Sequence, residues 1–138
     1  MMKITFADPF LSDDVAFFFK DNIQENNDGI SNMEFYCPDG ARAAVRRRQV
    51  IVAIDHNQIV GALRFYPRKS DQTISLYQFA IRPSHRKQQV MDRMLQILGD
   101  YPIQVSCPIH STMNEYYKKS GWRLREQKKD INIWEWIH

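Results

Sequence analysis

Along this chain the spacing of apolar residues switches between the two-residue repeat of strands and the 3.6-residue repeat of helices, and each switch predicts an element. Residues 3–7 alternate around Ile4 and Phe6 and predict a short strand, closed by Asp8-Pro9. Ser12 is placed to cap a helix, with Asp13 and Asp14 in a first turn that favours carboxylates. Val15, Phe18, Phe19 and Ile23 then share one face of it. Residues 24–40 carry no period and hold the turn chemistry of Asn26-Asn27-Asp28-Gly29 and Pro38-Asp39-Gly40, so they predict a long loop. A short helix is expected over 41–48. Residues 50–55 and 58–66 predict two strands, with His56-Asn57 as their hairpin turn. Gly61 marks a bulge or a close approach by other atoms.

After a polar turn at 67–71, residues 74–81 are apolar on both faces, as in a central strand covered on two sides. A helix carrying Val90, Met94, Ile97 and Leu98 follows, and Gly99 ends it. Residues 103–106 predict a strand that Pro108 stops. Ser111 is placed to cap a helix with Met113, Tyr116, Tyr117 and Ser120 on one face, and Gly121 closes it. Two last strands, 122–126 and 131–137, flank a turn at Lys128-Lys129-Asp130. The order β-α-α-β-β-β-α-β-α-β-β predicts an α/β (α+β) fold with helices around a mixed sheet. Nothing in the chain reads as a repeat or linker, so one domain over 1–138 is expected.

The 138 residues suffice for one core, and a 43% apolar, 25% charged composition is that of an ordinary globular protein. A net charge of +3 fits anionic ligands without demanding them. Arg42, Arg46, Arg47 and Arg48 form the densest basic run, but no stacking aromatics interleave with it, which argues against nucleic acid. No apolar run reaches the roughly 20 residues of a membrane span, and the N-terminus lacks a signal-peptide core, so a cytoplasmic protein without membrane partners is expected. Cys37 and Cys107 are expected as reduced thiols, and His56, His85, His110 and His138 show no metal spacing.

Candidate chemistry concentrates where the strand 74–81 runs through Pro83-Ser-His-Arg-Lys-Gln-Gln into a helix. Unpaired amides at a helix start, joined by Arg86 and Lys87, are the ingredients of a pyrophosphate seat; a solvated turn is the plainer alternative. Further on, Tyr116-Tyr-Lys-Lys-Ser-Gly-Trp122 sets an aromatic pair, a glycine four residues later and an aromatic that opens a strand.

In this order and at this separation, the two stretches resemble the GNAT superfamily of N-acetyltransferases. The family's acetyl-CoA loop, Arg-x-x-Gly-x-Gly, falls on Arg86-Lys-Gln-Gln-Val-Met91, and its Asn-x-x-Ala-x-x-aromatic-Tyr-x-x-x-Gly-Phe motif on residues 110–122. The resemblance implies a three-layer fold whose central sheet is mostly antiparallel. It also implies acetyl transfer from acetyl-CoA to a primary amine of a small molecule or peptide, with no metal. Arg86, Lys87, Gln88, Gln89, Val90, Met91 and His110 are then expected at the coenzyme, and amides around Phe79, Ala80 and Ile81 at the pantetheine arm and the oxyanion. Tyr117 takes the family's proton-donor position: a phenol of pKa about 10 stays protonated where a thiol of about 8.5 departs. A purely packing role for Tyr117 is the alternative. On the acceptor side stand Tyr77 and, in the 24–40 loop, Glu34 and Tyr36. That loop is either a solvated connection with apolar anchors or a grip for the amine.

Four departures from the family pattern bear on the coenzyme. Gln89 and Met91 stand where the family has glycines, His110 replaces its asparagine and Met113 its alanine. A β-carbon at a glycine position crowds a phosphate or resists positive φ, so a GNAT-fold binder without turnover is the second reading. Trp134 and Trp136 make the last strand a candidate homodimer interface.

Overall fold

Seven strands and four α-helices follow one another in the computed structural model, which describes residues 2–22 and 38–136. They are β1 (Lys3–Phe6), α1 (Ser12–Asn22), α2 (Pro38–Arg46), β2 (Val50–Asp55), β3 (Gln58–Pro67), β4 (Ile74–Ile81), α3 (Val90–Gln96), β5 (Ile103–Pro108), α4 (Met113–Lys119), β6 (Trp122–Gln127) and β7 (Ile131–Trp136). The strands form one sheet in the order β1-β2-β3-β4-β5-β7-β6, antiparallel throughout except between β4 and β5. The mixed, mostly antiparallel sheet with flanking helices is therefore the one the sequence predicts.

The sheet separates two apolar cores. On one face Val15, Phe18 and Phe19 of α1 and Ala41, Ala44 and Val45 of α2 pack on Val50, Val52, Ala62 and Ala80. On the other, Val90, Met94 and Leu95 of α3 and Tyr117 of α4 pack on Ile51, Leu63, Leu76, Ile103 and Val105. Ile51, Leu63, Met94, Leu95 and Ile103 lose all solvent contact, worth about 1.5–3 kcal/mol for each such side chain.

The β2–β3 hairpin turns on His56 and Asn57, both at positive φ (51° and 63°), the backbone that a two-residue type I′ turn requires. Beside it Ala53 pairs with Gly61 and Ile54 with Ile59, so Val60 is an extra residue on β3. Gly61 thus serves both of its expected roles. It adjoins the bulge, and a β-carbon there would lie 3.1 Å from both Ile81 Cδ1 and Val90 Cγ1.

Three expectations are corrected. Pro38, Asp39 and Gly40 form no turn but open α2, where proline loses nothing by lacking an N–H and Asp39 suits the helix dipole. Pro108 does not end its strand early. It is the last residue of β5, paired with Ile131, a terminal position at which its missing donor breaks no continuing ladder. Trp134 and Trp136 are each only 7% exposed and belong to the α3/α4-side core, so neither offers a surface to a second copy. Among the described residues no helix is long and apolar enough to cross a membrane, and none of the His, Cys, Asp and Glu residues gather into a group of three that could hold a metal ion.

Candidate active site

The only parallel pair in the sheet is also its shortest. β4 and β5 pair at Ile74–Ile103 and Ser75–Gln104, and from Leu76 onward no pairing continues. Along the rest of β4 every second amide therefore turns toward an opening instead of a neighbouring strand. The opening lies at the carboxyl ends of two parallel strands, each of which leads into a helix, which is where α/β sheets bind ligands. Phe79, Ala80 and Ile81 lie on this stretch of β4, beyond its last pairing with β5.

A bulge in β4 arranges the side chains. Phe65 pairs with Leu76 and Arg64 with Gln78, so Tyr77 is an extra residue. Before it Ile74 and Leu76 face the α3/α4 core; after it Phe79 and Ile81 face that core while Ala80 joins the other. One inserted residue thus reverses the strand's facing just where the opening begins.

Past Ile81 the chain makes a 3-10 turn at Pro83–His85 and then the loop into α3. Lys87 and Gln89 adopt the left-handed region (φ 63° and 60°), and Gln89 directly precedes α3. Gln89 therefore makes the turn of the absent family glycine, at a conformational cost of about 1 kcal/mol or more. Met91 lies in the first turn of α3 and is buried in the core, so its bulk points inward. Arg86, Lys87, Gln88 and Gln89 are exposed, while Val90 is buried. Arg86 Nε donates to the Ile81 carbonyl (3.2 Å), and Gln88 Nε2 donates to the Ser84 carbonyl (3.3 Å). His85 Nε2 lies 2.9 Å from Asp55 Oδ2, with both side chains mostly covered.

Tyr117 closes the α3/α4 side of the opening. Its ring centroid is 6.4 Å from that of Phe79, 5.4 Å from Tyr116, 5.2 Å from Trp122 and 6.2 Å from Trp134. Tyr116 in turn stands 5.7 Å from Phe79. Burial raises the Tyr117 phenol well above its ordinary range, with the Cys107 thiol and Tyr116 adding to the effect. The hydroxyl is therefore protonated at neutral pH, and burial makes it a weaker acid than a free phenol. Burial also raises Tyr116 and Asp92, and the Asp92 carboxylate adds to the shift of Tyr116.

Asn114 secures the start of α4, a role the sequence did not disclose. Its Nδ2 donates to the carbonyls of Pro108, Ile109 and Ser111 (2.9, 3.1 and 2.9 Å). Its Oδ1 accepts from Asn132 Nδ2 (3.0 Å) and Trp134 Nε1 (2.9 Å). Ser111, the expected cap, accepts from the Met113 amide at 3.1 Å. His110, in the turn before it, is exposed.

On the opposite face of the sheet, Arg64 lies over the Tyr77 ring (4.3 Å to the centroid) and donates to Gln78 Oε1 (3.3 Å). Tyr66 adds a second ring 5.9 Å from Tyr77. Arg64 was missed because it sits between Leu63 and Phe65 in a strand pattern, and only the register brings it beside Tyr77. Glu34 and Tyr36 lie outside the described residues.

The bulged central strand, its parting from its parallel neighbour and the helices on both faces of the sheet agree with the three-layer fold that the resemblance implied. The sequence profile of the acetyltransferase (GNAT) family matches residues 14–121, and the chain belongs to that family. In structure it is similar to the PaiA N-acetyltransferase from Thermoplasma acidophilum in complex with coenzyme A, at TM-score 0.74 and 11% identity over 100% of this chain and 99% of that one. It is also similar to diaminobutyrate acetyltransferase EctA from Paenibacillus lautus in complex with L-2,4-diaminobutyric acid and coenzyme A, at TM-score 0.67 and 13% identity over 98% and 93% of the chains. N-acetylglutamate synthase from Neisseria gonorrhoeae, with coenzyme A and N-acetyl-glutamate, matches at TM-score 0.71 and 8% identity; it covers 99% of this chain and 35% of its own. At identities this low the structural likeness shows the shared fold alone. No curated protein sequence matches the chain at a significant level.

Proposed function

We propose that this chain is one catalytic domain that moves an acetyl group from acetyl-CoA to a primary amine of a small molecule or peptide. The observation that carries the reading is the opening between β4 and β5, with the β4 edge on one side and Tyr117 on the other. Acetyl-CoA supplies the thioester whose acyl carbon takes the amine. The coenzyme is proposed to rest on the amides of residues 86–91, with Arg86 and Lys87 supplying charge and His110 standing at the start of α4. The left-handed Gln89 and the inward Met91 support that fit, since neither side chain fills the loop. Those two features favour turnover over a binder that only shares the fold.

Amides at Phe79 and Ala80 are proposed to receive the oxyanion, because donors fixed on a strand need no reorganisation when charge develops. As the C–N bond forms and the C–S bond breaks, the Tyr117 hydroxyl gives its proton to the departing sulfur, and the proton shed by the acylated nitrogen passes to solvent, from which the phenol is restored. Tyr77, Tyr36 and Glu34 are proposed to receive the acceptor, with the Glu34 carboxylate attracting its amine. Amine-bearing acceptors are bound by the EctA neighbour, which holds diaminobutyric acid.

Calorimetry with acetyl-CoA, followed by thiol release with a panel of primary amines, tests the proposal. Heat at micromolar coenzyme and steady release are expected. Silence at millimolar coenzyme would sink the enzyme reading. Tyr117→Phe should lower kcat about 100-fold, at the lower end of what a positioned acid contributes, and leave the KM for acetyl-CoA nearly unchanged. An unchanged kcat would remove Tyr117 as proton donor.

A further inference from the structure

The loop after β4 adopts left-handed backbone at Lys87 and Gln89 without a glycine. A non-glycine residue persists there only if its surroundings hold it. The local bonds from Gln88 to Ser84 and from Arg86 to Ile81 link the loop only to residues within five positions of themselves. Longer links anchor it to the β2–β3 hairpin, beginning with the Arg82 amide, which donates to the Val60 carbonyl (2.7 Å). Arg82 Nη1 donates to Gln58 Oε1 (2.8 Å), and His85 Nε2 meets Asp55 Oδ2 (2.9 Å) at the end of β2. The His85 ring is held on both sides, since its Nδ1 lies 2.8 Å from Ser84 Oγ. A carboxylate can only accept, so Nε2 donates to Asp55. Both side chains of the pair are 19% exposed, which limits competition from water.

We infer that Asp55 and His85 are positioning residues for the coenzyme loop: they clamp it to the hairpin and hold the left-handed turn that glycine would otherwise supply. The inference rests on the proposed reading that residues 86–91 receive the coenzyme, and neither residue is assigned a contact with coenzyme or acceptor. The left-handed turn is then a property of the clamp, and a glycine placed at position 89 makes the clamp dispensable.

The test measures acetyl-CoA affinity and steady-state kinetics on the full chain for wild type, His85→Ala, Asp55→Asn, Gln89→Gly and the Gln89→Gly/His85→Ala double variant. His85→Ala should weaken acetyl-CoA binding about tenfold, with the change in KM and kcat at saturating coenzyme moving less than twofold. Asp55→Asn keeps an acceptor oxygen and should lose less. In the Gln89→Gly background the His85→Ala penalty should fall below twofold. Wild-type affinity in His85→Ala, a loss carried by kcat, or a full penalty in the glycine background would each overturn the clamp. Amide exchange across residues 84–92 reads the clamp without coenzyme: it should quicken about tenfold in His85→Ala, and unchanged exchange would refute it. If wild type binds no acetyl-CoA while exchange quickens in His85→Ala, the coenzyme reading fails and the clamp stands.

Discussion

At the scale of single residues, Tyr117 is governed by its burial. A folded-state pKa raised above the unfolded value means that the native state holds this proton more tightly. Its contribution to stability is complete below about pH 10 and is lost as pH rises beyond that. Urea unfolding between pH 8 and 11 should therefore show a steeper alkaline decline for wild type than for Tyr117→Phe. The wild-type kcat should carry no alkaline limb from this phenol in the same window. Gly61 is the second case. An added methyl would press on Ile81 and Val90, the residues that bracket the loop, so Gly61→Ala should cost about 1 kcal/mol in urea unfolding. Tyr117 was legible in the sequence because its spacing to Gly121 and Trp122 is local. The Asp55–His85 pair was not, since it joins positions 30 apart that only the fold brings together.

At the scale of elements, the strands and helices followed from apolar period and turn chemistry, and the errors came where those cues have two meanings. Pro38-Asp39-Gly40 suits a turn and a helix start equally, and the start was realised because Ala41, Ala44 and Val45 bury the following face. The bulge at Tyr77 leaves no trace in composition, since it is a matter of register with β3. Asn114 likewise reads as an ordinary polar residue, yet it binds the end of β5, the start of α4 and β7 together. Asn114→Ala leaves the Trp134 indole and the Asn132 amide without their acceptor. The expected cost is about 3 kcal/mol, measured by denaturant midpoint, with the loss of near-ultraviolet tryptophan signal reporting on Trp134.

At the scale of the whole molecule, the basic run of α2 and the turn after it is largely engaged within the chain. Arg42 bridges Asp13 and Asp39, Arg47 meets Gln49, and Arg48 lies over Phe6. With a net charge of only +3, duplex DNA should bind no more tightly than about 10⁻⁴ M at physiological salt, as read by a filter or anisotropy titration. Apolar cores on opposite faces of one sheet give the molecule a further property. Substitutions beneath α1 and α2 strain one core, and substitutions beneath α3 and α4 strain the other, while the bulged strand is the boundary they share. Either core can therefore be repacked by substitutions that leave the packing on the other face of the sheet undisturbed.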